Sequence, residues 1–435
     1  MNNKDLFLGI DVGTSGVRAI AINKKGQIHG HSQTPMPAPE RDGSQISQDP
    51  AIWQQAVTHT LKSLFETVPA KAIRALAIDC TSSTLLRTDA SGQQLGLALM
   101  YNDSRAREQA QQIAQVADER TAAIGASSAL AKLLWCQDQG ELDMTTHVLQ
   151  QADWITGLFT GQWNHTDANN ALKLGWDAQN HCWPEWLIQL LKDKGINQTL
   201  LPTVHNCGDV IGTVSSTTAK EYSLSPDTKV IAGTTDGVAA FFAAGATEPS
   251  QAVTSLGSTL VLKLLSETPV HSPKHGVYSH PLGKYWLAGG ASNSGGSVLL
   301  QHFSQEQLDA MTPKLNPDQS TGLKYYPLPS TGERFPVNDP DMAPQLEPRP
   351  DDDVMFFQAM LEGMTNIEKQ GYDLLTELGA PRLTEVLTTG GGSHNPPWTK
   401  IRENLLGVPV TTAEHDEAAY GAALIATGHI GKVFG

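Results

Sequence analysis

Several short segments carry side chains suited to handling phosphate or a polyhydroxylated ligand. Asp11-Val12-Gly13-Thr14-Ser15-Gly16 joins two apolar, β-rich runs, Leu6–Ile10 and Val17–Ile22, which predicts a hairpin with a glycine-containing loop. Glycines let backbone N–H groups approach a bulky anion, and hydroxyls add donors, so Gly13, Thr14 and Ser15 can hold phosphate. Asp11 repels phosphate directly; a divalent cation or a substrate hydroxyl is its natural partner. An ordinary hairpin turn uses the same residue types. The segments further along decide between the two.

The cluster Asp79-Cys80-Thr81-Ser82-Ser83-Thr84 follows a predicted strand at Ala75–Ile78, and Met100-Tyr101-Asn102-Asp103-Ser104-Arg105 follows another apolar run and opens a helix. Strand ends are where α/β proteins build ligand sites. Ser82, Ser83 and Asp103 supply donors and acceptors of the sort a polyhydroxylated substrate needs; as local features they read as a hydroxylated strand face and a helix cap. Gly233-Thr234-Thr235-Asp236-Gly237 lies between a strand, Val230–Ala232, and a small-residue helix, Val238–Ala244. Asp236 suits the helix dipole there, and a cap can also be a catalytic base.

The opening pattern then returns: Ala252–Leu256 as strand, Gly257-Ser258-Thr259 as turn, Leu260–Leu264 as return strand. Two such hairpins, one per half, point to two related sheets serving one ligand. Gly289–Gly296, which includes Gly295, reads as a third glycine loop, placed before a helix at Ser297–Phe303. Thr384–Thr389 is a strand feeding Gly390-Gly391-Gly392-Ser393-His394-Asn395-Pro396, with a helix through Trp398–Leu406. Glycines placed there favour a ligand wedged on the backbone, with Asn395 and Trp398 able to serve a base or ribose.

The elements that must position these groups fit a chain of 435 residues, too long for one typical domain. The boundary is expected at Thr247–Ser250, giving domains 1–246 and 247–435. Asp49-Pro50 starts a helix running to about Glu66, residues 106–225 read as largely helical, and 313–350 as a long Pro/Gly-rich surface loop. Asp351-Asp352-Asp353 reads as helix N-terminal charge rather than a metal site, and Glu414–Gly428 as a closing Ala-rich helix. The net charge of −15, with no Lys/Arg-rich run, disfavours nucleic acid. Cys80, Cys136, Cys182 and Cys207 form no CxxC pair and suit reduced core thiols; the His residues show no zinc spacing. The N-terminal apolar run ends at Asp11 after five residues and no stretch of 18 apolar residues exists, so no signal peptide or membrane span is expected, and a cytoplasmic location is.

Taken together these motifs resemble the FGGY carbohydrate kinases of the actin/hexokinase superfamily, over nearly the whole chain. Asp11–Ser15 looks like the family's first phosphate loop, Ser255–Thr259 its second, Gly233–Gly237 its catalytic-aspartate segment, and Gly390–Asn395 with Trp398 its adenosine loop. Ala359–Met364 with Asp373-Leu374 follows most of the C-terminal signature, whereas the segment around Lys132 and Trp135 matches the other signature only in part. The resemblance implies an α/β fold of two ribonuclease-H-like domains, each a five-stranded mixed sheet with helices, a central interdomain cleft, and a last helix returning to the first domain. It implies ATP-dependent phosphorylation of a sugar, with Asp236 as base and Asp11, Ser82, Ser83, Asp103 and Asp236 on the sugar. ATP would lie on Gly13, Thr14, Ser15, Gly257, Ser258, Thr259, Gly295, Gly391, Gly392, Asn395 and Trp398, with Mg²⁺ near Asp11, in a monomer or homodimer. Asp79–Ser83 stands where typical xylulokinases have Gln-Met-His-Gly, and this version is similar to the D-ribulose kinases once labelled xylulokinase-like. D-xylulose, L-ribulose, ribitol and glycerol are the other substrates, and a non-catalytic ATP clamp of the actin or chaperone type is the remaining alternative.

Overall fold

The computed structural model describes residues 5–143 and 145–434. It divides into two units, one of residues up to Ala243 plus those from Glu417 on, the other of Ala244–Asp416.

In the first unit the opening hairpin forms as the alternation requires. Strand β1 (Leu6–Val12) pairs antiparallel with β2 (Gly16–Asn23), which pairs antiparallel with β3 (Ile28–Pro35). On its other side β1 runs parallel to β4 (Ile73–Cys80), and β4 parallel to β6 (Lys229–Thr235); β5 (Val210–Thr213) closes the edge antiparallel to β6. The sheet order is β5-β6-β4-β1-β2-β3.

The second unit repeats this plan. Strands β7 (Gln251–Leu256), β8 (Leu260–Ser266) and β10 (Tyr285–Ser292) form an antiparallel meander, and β11 (Glu385–Thr389) and β12 (Val410–Thr412) continue parallel from β7. Strand β9 (Tyr278–Leu282) adds an antiparallel edge beside β10. Both sheets have six strands rather than the expected five. The common core is β3-β2-β1-β4-β6 in one and β10-β8-β7-β11-β12 in the other, and the sixth strand sits at opposite edges of that core.

Helices cover the faces. Helix α1 (Pro50–Thr67) starts where Asp49 Oδ1 accepts the Ala51 N–H at 2.9 Å, with proline in its first turn. Helix α2 (Asp236–Ala244) follows β6 directly. In the second unit, α3 (Asp353–Glu377) is capped by Asp352, α4 (Pro396–Leu406) by Asn395. Helix α5 (Ala418–Ala426) lies on the first sheet at a distance only glycine permits. A Cβ on Gly9 of β1 would stand 1.9 Å from the Ala419 carbonyl oxygen, and one on Gly421 1.8 Å from that of Ala239.

Beneath α3 the second unit buries a charged network. Arg402 donates through Nε to Glu368 Oε2 at 2.7 Å, through Nη2 to Oε1 at 2.6 Å and through Nη1 to Thr388 Oγ1 at 2.6 Å. Thr254 Oγ1 donates to Glu368 Oε1 at 2.6 Å and lies 2.7 Å from the Tyr372 hydroxyl. Every charge there has its partner.

Several expectations need correction. Gly289–Ser292 is the end of β10 and not a loop, because its residues pair with Leu260–Lys263 of β8. The stretch 106–225 also contains strands at His147–Gln150, His165–Asp167, Thr203–His205 and Val210–Thr213, each too short and polar to announce itself. Residues 313–350 are irregular but not superficial: Tyr325, Tyr326, Leu328 and Phe335 are buried in the second core. The closing helix starts at Ala418, and Cys182 is exposed while the other three cysteines are buried. Among the described residues no helix is long and apolar enough to cross a membrane.

Candidate active site

Three neighbouring strands of the first sheet end in polar groups at one level. The parallel register sets Asp11 of β1 beside Asp79 of β4, and Asp79 beside Thr234 of β6, two residues before Asp236. Asp79 therefore belongs to a strand, not to the loop that the Ala75–Ile78 reading gave it. Arg18 faces Asp11 across the hairpin and its Nη1 donates to Asp11 Oδ2 at 3.0 Å.

Charge compensation is incomplete. Asp79 is wholly buried, neither of its carboxyl oxygens meets a donor, and its nearest acidic neighbour is Asp11. Burial pushes its carboxyl well above the usual range, and the charges of Asp11 and Asp236 push it further. Burial also raises Asp11, against the opposing pull of Arg18. Asp236 is half-buried at the first residue of α2, and its Oδ1 accepts the Gly237 N–H at 2.6 Å.

The predicted sugar residues separate into two kinds. The Ser82 hydroxyl is buried without a hydrogen-bond partner. Ser83 holds a left-handed backbone, φ +70°, and its carbonyl accepts from Lys132 Nζ at 2.9 Å. Asp103 lies in a network of its own. It is fully buried, accepts the Ile46 N–H at 2.6 Å, and takes Nε and Nη2 of Arg105 at 2.7–3.0 Å. Its carboxylate thus orients Arg105 and the β-strand at Gln45–Gln48. Thr81 and Thr84 bond to each other at 2.7 Å, and Thr81 to Gln151, a packing role.

In the first hairpin loop Gly13 and Thr14 are half-buried and Ser15 is exposed. In the second unit, Gly257 and Thr259 are half-buried and Ser258 is exposed. Here two further loops press on the hairpin: a Cβ on Gly295 would lie 2.6 Å from the Ser258 carbonyl oxygen, one on Gly390 2.8 Å from that of Leu256. Gly391 alone of these faces open space, with nothing within 4 Å. Beside it is a cavity of about 700 Å³ walled by Leu299, Leu300, Leu308, Phe357 and Leu361, with Gly257, Gly391 and Gly392 on its backbone side. Its size and apolar walls suit a flat heterocycle. Trp398 is a buried wall of this cavity, its indole N–H donated to Thr365 Oγ1 at 3.0 Å, and Asn395 accepts the Trp398 N–H as the cap of α4.

Arg18 and Asp79 are the neighbours of Asp11 that sequence reasoning did not select. Hairpin register pairs Asp11 with Arg18 seven residues on, a signal available from the alternation; the Asp11–Asp79 contact has no local signal.

The comparisons agree with this architecture. The profile of the FGGY family of carbohydrate kinases, N-terminal domain, matches residues 6–243, and that of its C-terminal domain matches 252–428. A xylulose kinase of Bacillus subtilis (strain 168) is 26% identical over 445 residues, covering 96% of this chain and 87% of its own. A gluconokinase of the same organism is 21% identical over 461 residues, covering 98% and 88%. In three dimensions a "xyloylose kinase" from Brucella ovis superposes with a TM-score of 0.88 at 24% identity, covering 98% of this chain and 91% of its own. The chain belongs to the FGGY family of carbohydrate kinases, and its fold is that of the actin/hexokinase superfamily. It is a phosphotransferase that moves phosphate from ATP to a sugar.

Proposed function

We propose that the chain phosphorylates a ketopentose, D-ribulose before D-xylulose, with Asp236 as general base. The observation that carries this reading is the polar row across β1, β4 and β6, ending in Asp236, with the unpartnered Ser82 hydroxyl just beyond β4. A sugar bears the hydroxyls that such a row lacks. An alcohol is a weak nucleophile, so a carboxylate has to accept its proton as the new P–O bond forms. Asp236, half-buried and held at a helix start, fits that role.

ATP is read onto the second unit, its base in the cavity beside Gly391 and Gly392, with Gly295 and Gly390 keeping the surrounding loops close to Gly257–Thr259. Gly13, Thr14 and Ser15 offer a matching set of donors to phosphate in the first unit. The neighbouring carboxyl groups of Asp11 and Asp79, with Arg18 bonded to Asp11, fit a divalent cation, whose charge would favour the ionised form that burial disfavours. Mg²⁺ is commonly held by one or two carboxylates, with water and substrate phosphates as its other ligands. When bound, Mg²⁺ neutralises charge on the β- and γ-phosphates. Arg18 and Asp79 fix the direction of Asp11, and Asp103 fixes Arg105.

The substitution of Asp79–Ser83 for the segment of typical xylulokinases favours D-ribulose, while the relatives' names keep D-xylulose in view. Assay of the purified protein with D-ribulose, D-xylulose, L-ribulose, ribitol and glycerol, reading ADP release, tests this. The highest kcat/KM is expected for D-ribulose; a preference for any other of the five overturns the assignment.

A further inference from the structure

Lys132 has no place in the reaction as described, yet it is completely buried. It sits in a helix at Ala129–Asp138 whose inner face is otherwise apolar, with Leu130, Leu133 and Leu134 in the core. Its Nζ donates to the Ser83 carbonyl at 2.9 Å and to the Met100 carbonyl at 2.7 Å. Among the described residues no carboxylate stands within ion-pair distance of it; the nearest influence, Asp103, is engaged by Arg105. Burial drives its amine down to about 7. A buried, unpaired lysine is costly, and a methionine of like volume would pack there without that penalty.

What the amine joins explains its presence. Ser83 belongs to the turn that carries the unpartnered Ser82 hydroxyl, and that turn is strained, with Ser83 at φ +70°. Met100 precedes Tyr101, Asn102 and Asp103, and its carbonyl also accepts the Asp103 N–H at 2.9 Å. The two segments are 17 residues apart in sequence, 100 − 83, and meet at one nitrogen. A primary amine, charged or neutral, has at least two N–H groups, so both bonds survive its deprotonation.

We propose that Lys132 is a positioning residue of the sugar site, tying the Thr81–Thr84 turn to the Tyr101–Asp103 segment so that both face the sugar in one fixed arrangement. This rests on the reading of Ser82 and Ser83 as sugar contacts. Replacing the amine releases the turn, misplaces the sugar hydroxyl relative to Asp236, and leaves the nucleotide cavity of the other unit unchanged. Displacements of about 1 Å cost on the order of 100-fold in rate.

The test compares wild type with Lys132→Met, using the sugar that the ADP assay selects. The expected result is a kcat/KM for sugar reduced roughly 10- to 100-fold, with the KM for ATP within about twofold. Hydrogen exchange at 81–84 and 100–105 should quicken while α3 exchanges as before. A sugar kcat/KM within about twofold of wild type, or equal losses toward sugar and ATP, overturns the proposal. Should Lys132→Met not fold, exchange in the wild type decides: saturating sugar must slow both segments, and protection of neither overturns the proposal. Ser83→Gly, which suits the left-handed backbone but loosens it, should lower sugar kcat/KM less than Lys132→Met does. If the wild type phosphorylates no sugar, the parent reading fails and this one with it; if it does but Lys132→Met shows no sugar-specific loss, only this one fails.

Discussion

Each sheet buries acidic groups, and the two do so in opposite ways. In the second unit Glu368 is matched by a bidentate arginine, and the hydroxyls of Thr254, Thr388 and Tyr372 complete the set. In the first, Asp79 has two oxygens without donors, pressed against Asp11, with one arginine on the far side. A satisfied pair holds helix to sheet. An unsatisfied one costs stability, and the contrast teaches that a buried acid with incomplete compensation is the better candidate for a functional group.

Three substitutions can break or sharpen that contrast. Asp236→Ala should lower kcat by roughly two to four orders of magnitude with nucleotide affinity retained; turnover near the wild-type level would remove it from the base role. Arg402→Met should lower unfolding free energy by about 3–5 kcal/mol in denaturant titrations, because it strands Glu368. A loss below about 1 kcal/mol would show that the second network is no more structural than the first. Asp79→Asn should act in the opposite sense on stability. A carboxyl raised in the folded state stabilises fully below its unfolded value, near 3.8, and that contribution fades as pH rises through the raised one. The asparagine loses nothing over that window, so it should gain on wild type with a slope of up to about 1.4 kcal/mol per pH unit. Parallel pH profiles for the two proteins would mean that Asp79 bears no such penalty.

The sequence discloses the local chemistry better than the long-range chemistry. The hairpins, the glycine loops and the carboxyl at the head of α2 are written in adjacent residues, since turns and caps select their side chains locally. Asp79 is another matter: it looks like loop because strand β4 extends two residues beyond its apolar run, and only pairing with β1 and β6 makes those residues strand. The burial of Asp103 is illegible for a related reason. Its nearest partner, Arg105, is two residues away, but the Ile46 N–H that makes its burial tolerable is 57 residues distant. Gly289–Ser292 reads as a loop because glycine weakens strand propensity, yet a Cβ on Gly289 would meet the Leu262 carbonyl oxygen at 2.2 Å, so the close strand pairing needs it.

The fit of α5 against Gly9 has a bearing on how the molecule is made. Because the lid over β1 comes from residues beyond 417, a ribosome emits the first sheet's strands long before the piece that seals them, and Ala244–Asp416 can finish folding in the interval. The half begun first is completed last. A nascent chain stalled short of Ala426 would therefore bare the sheet face that carries Phe7 and Gly9, a natural point for chaperones to hold and for proteases to cut.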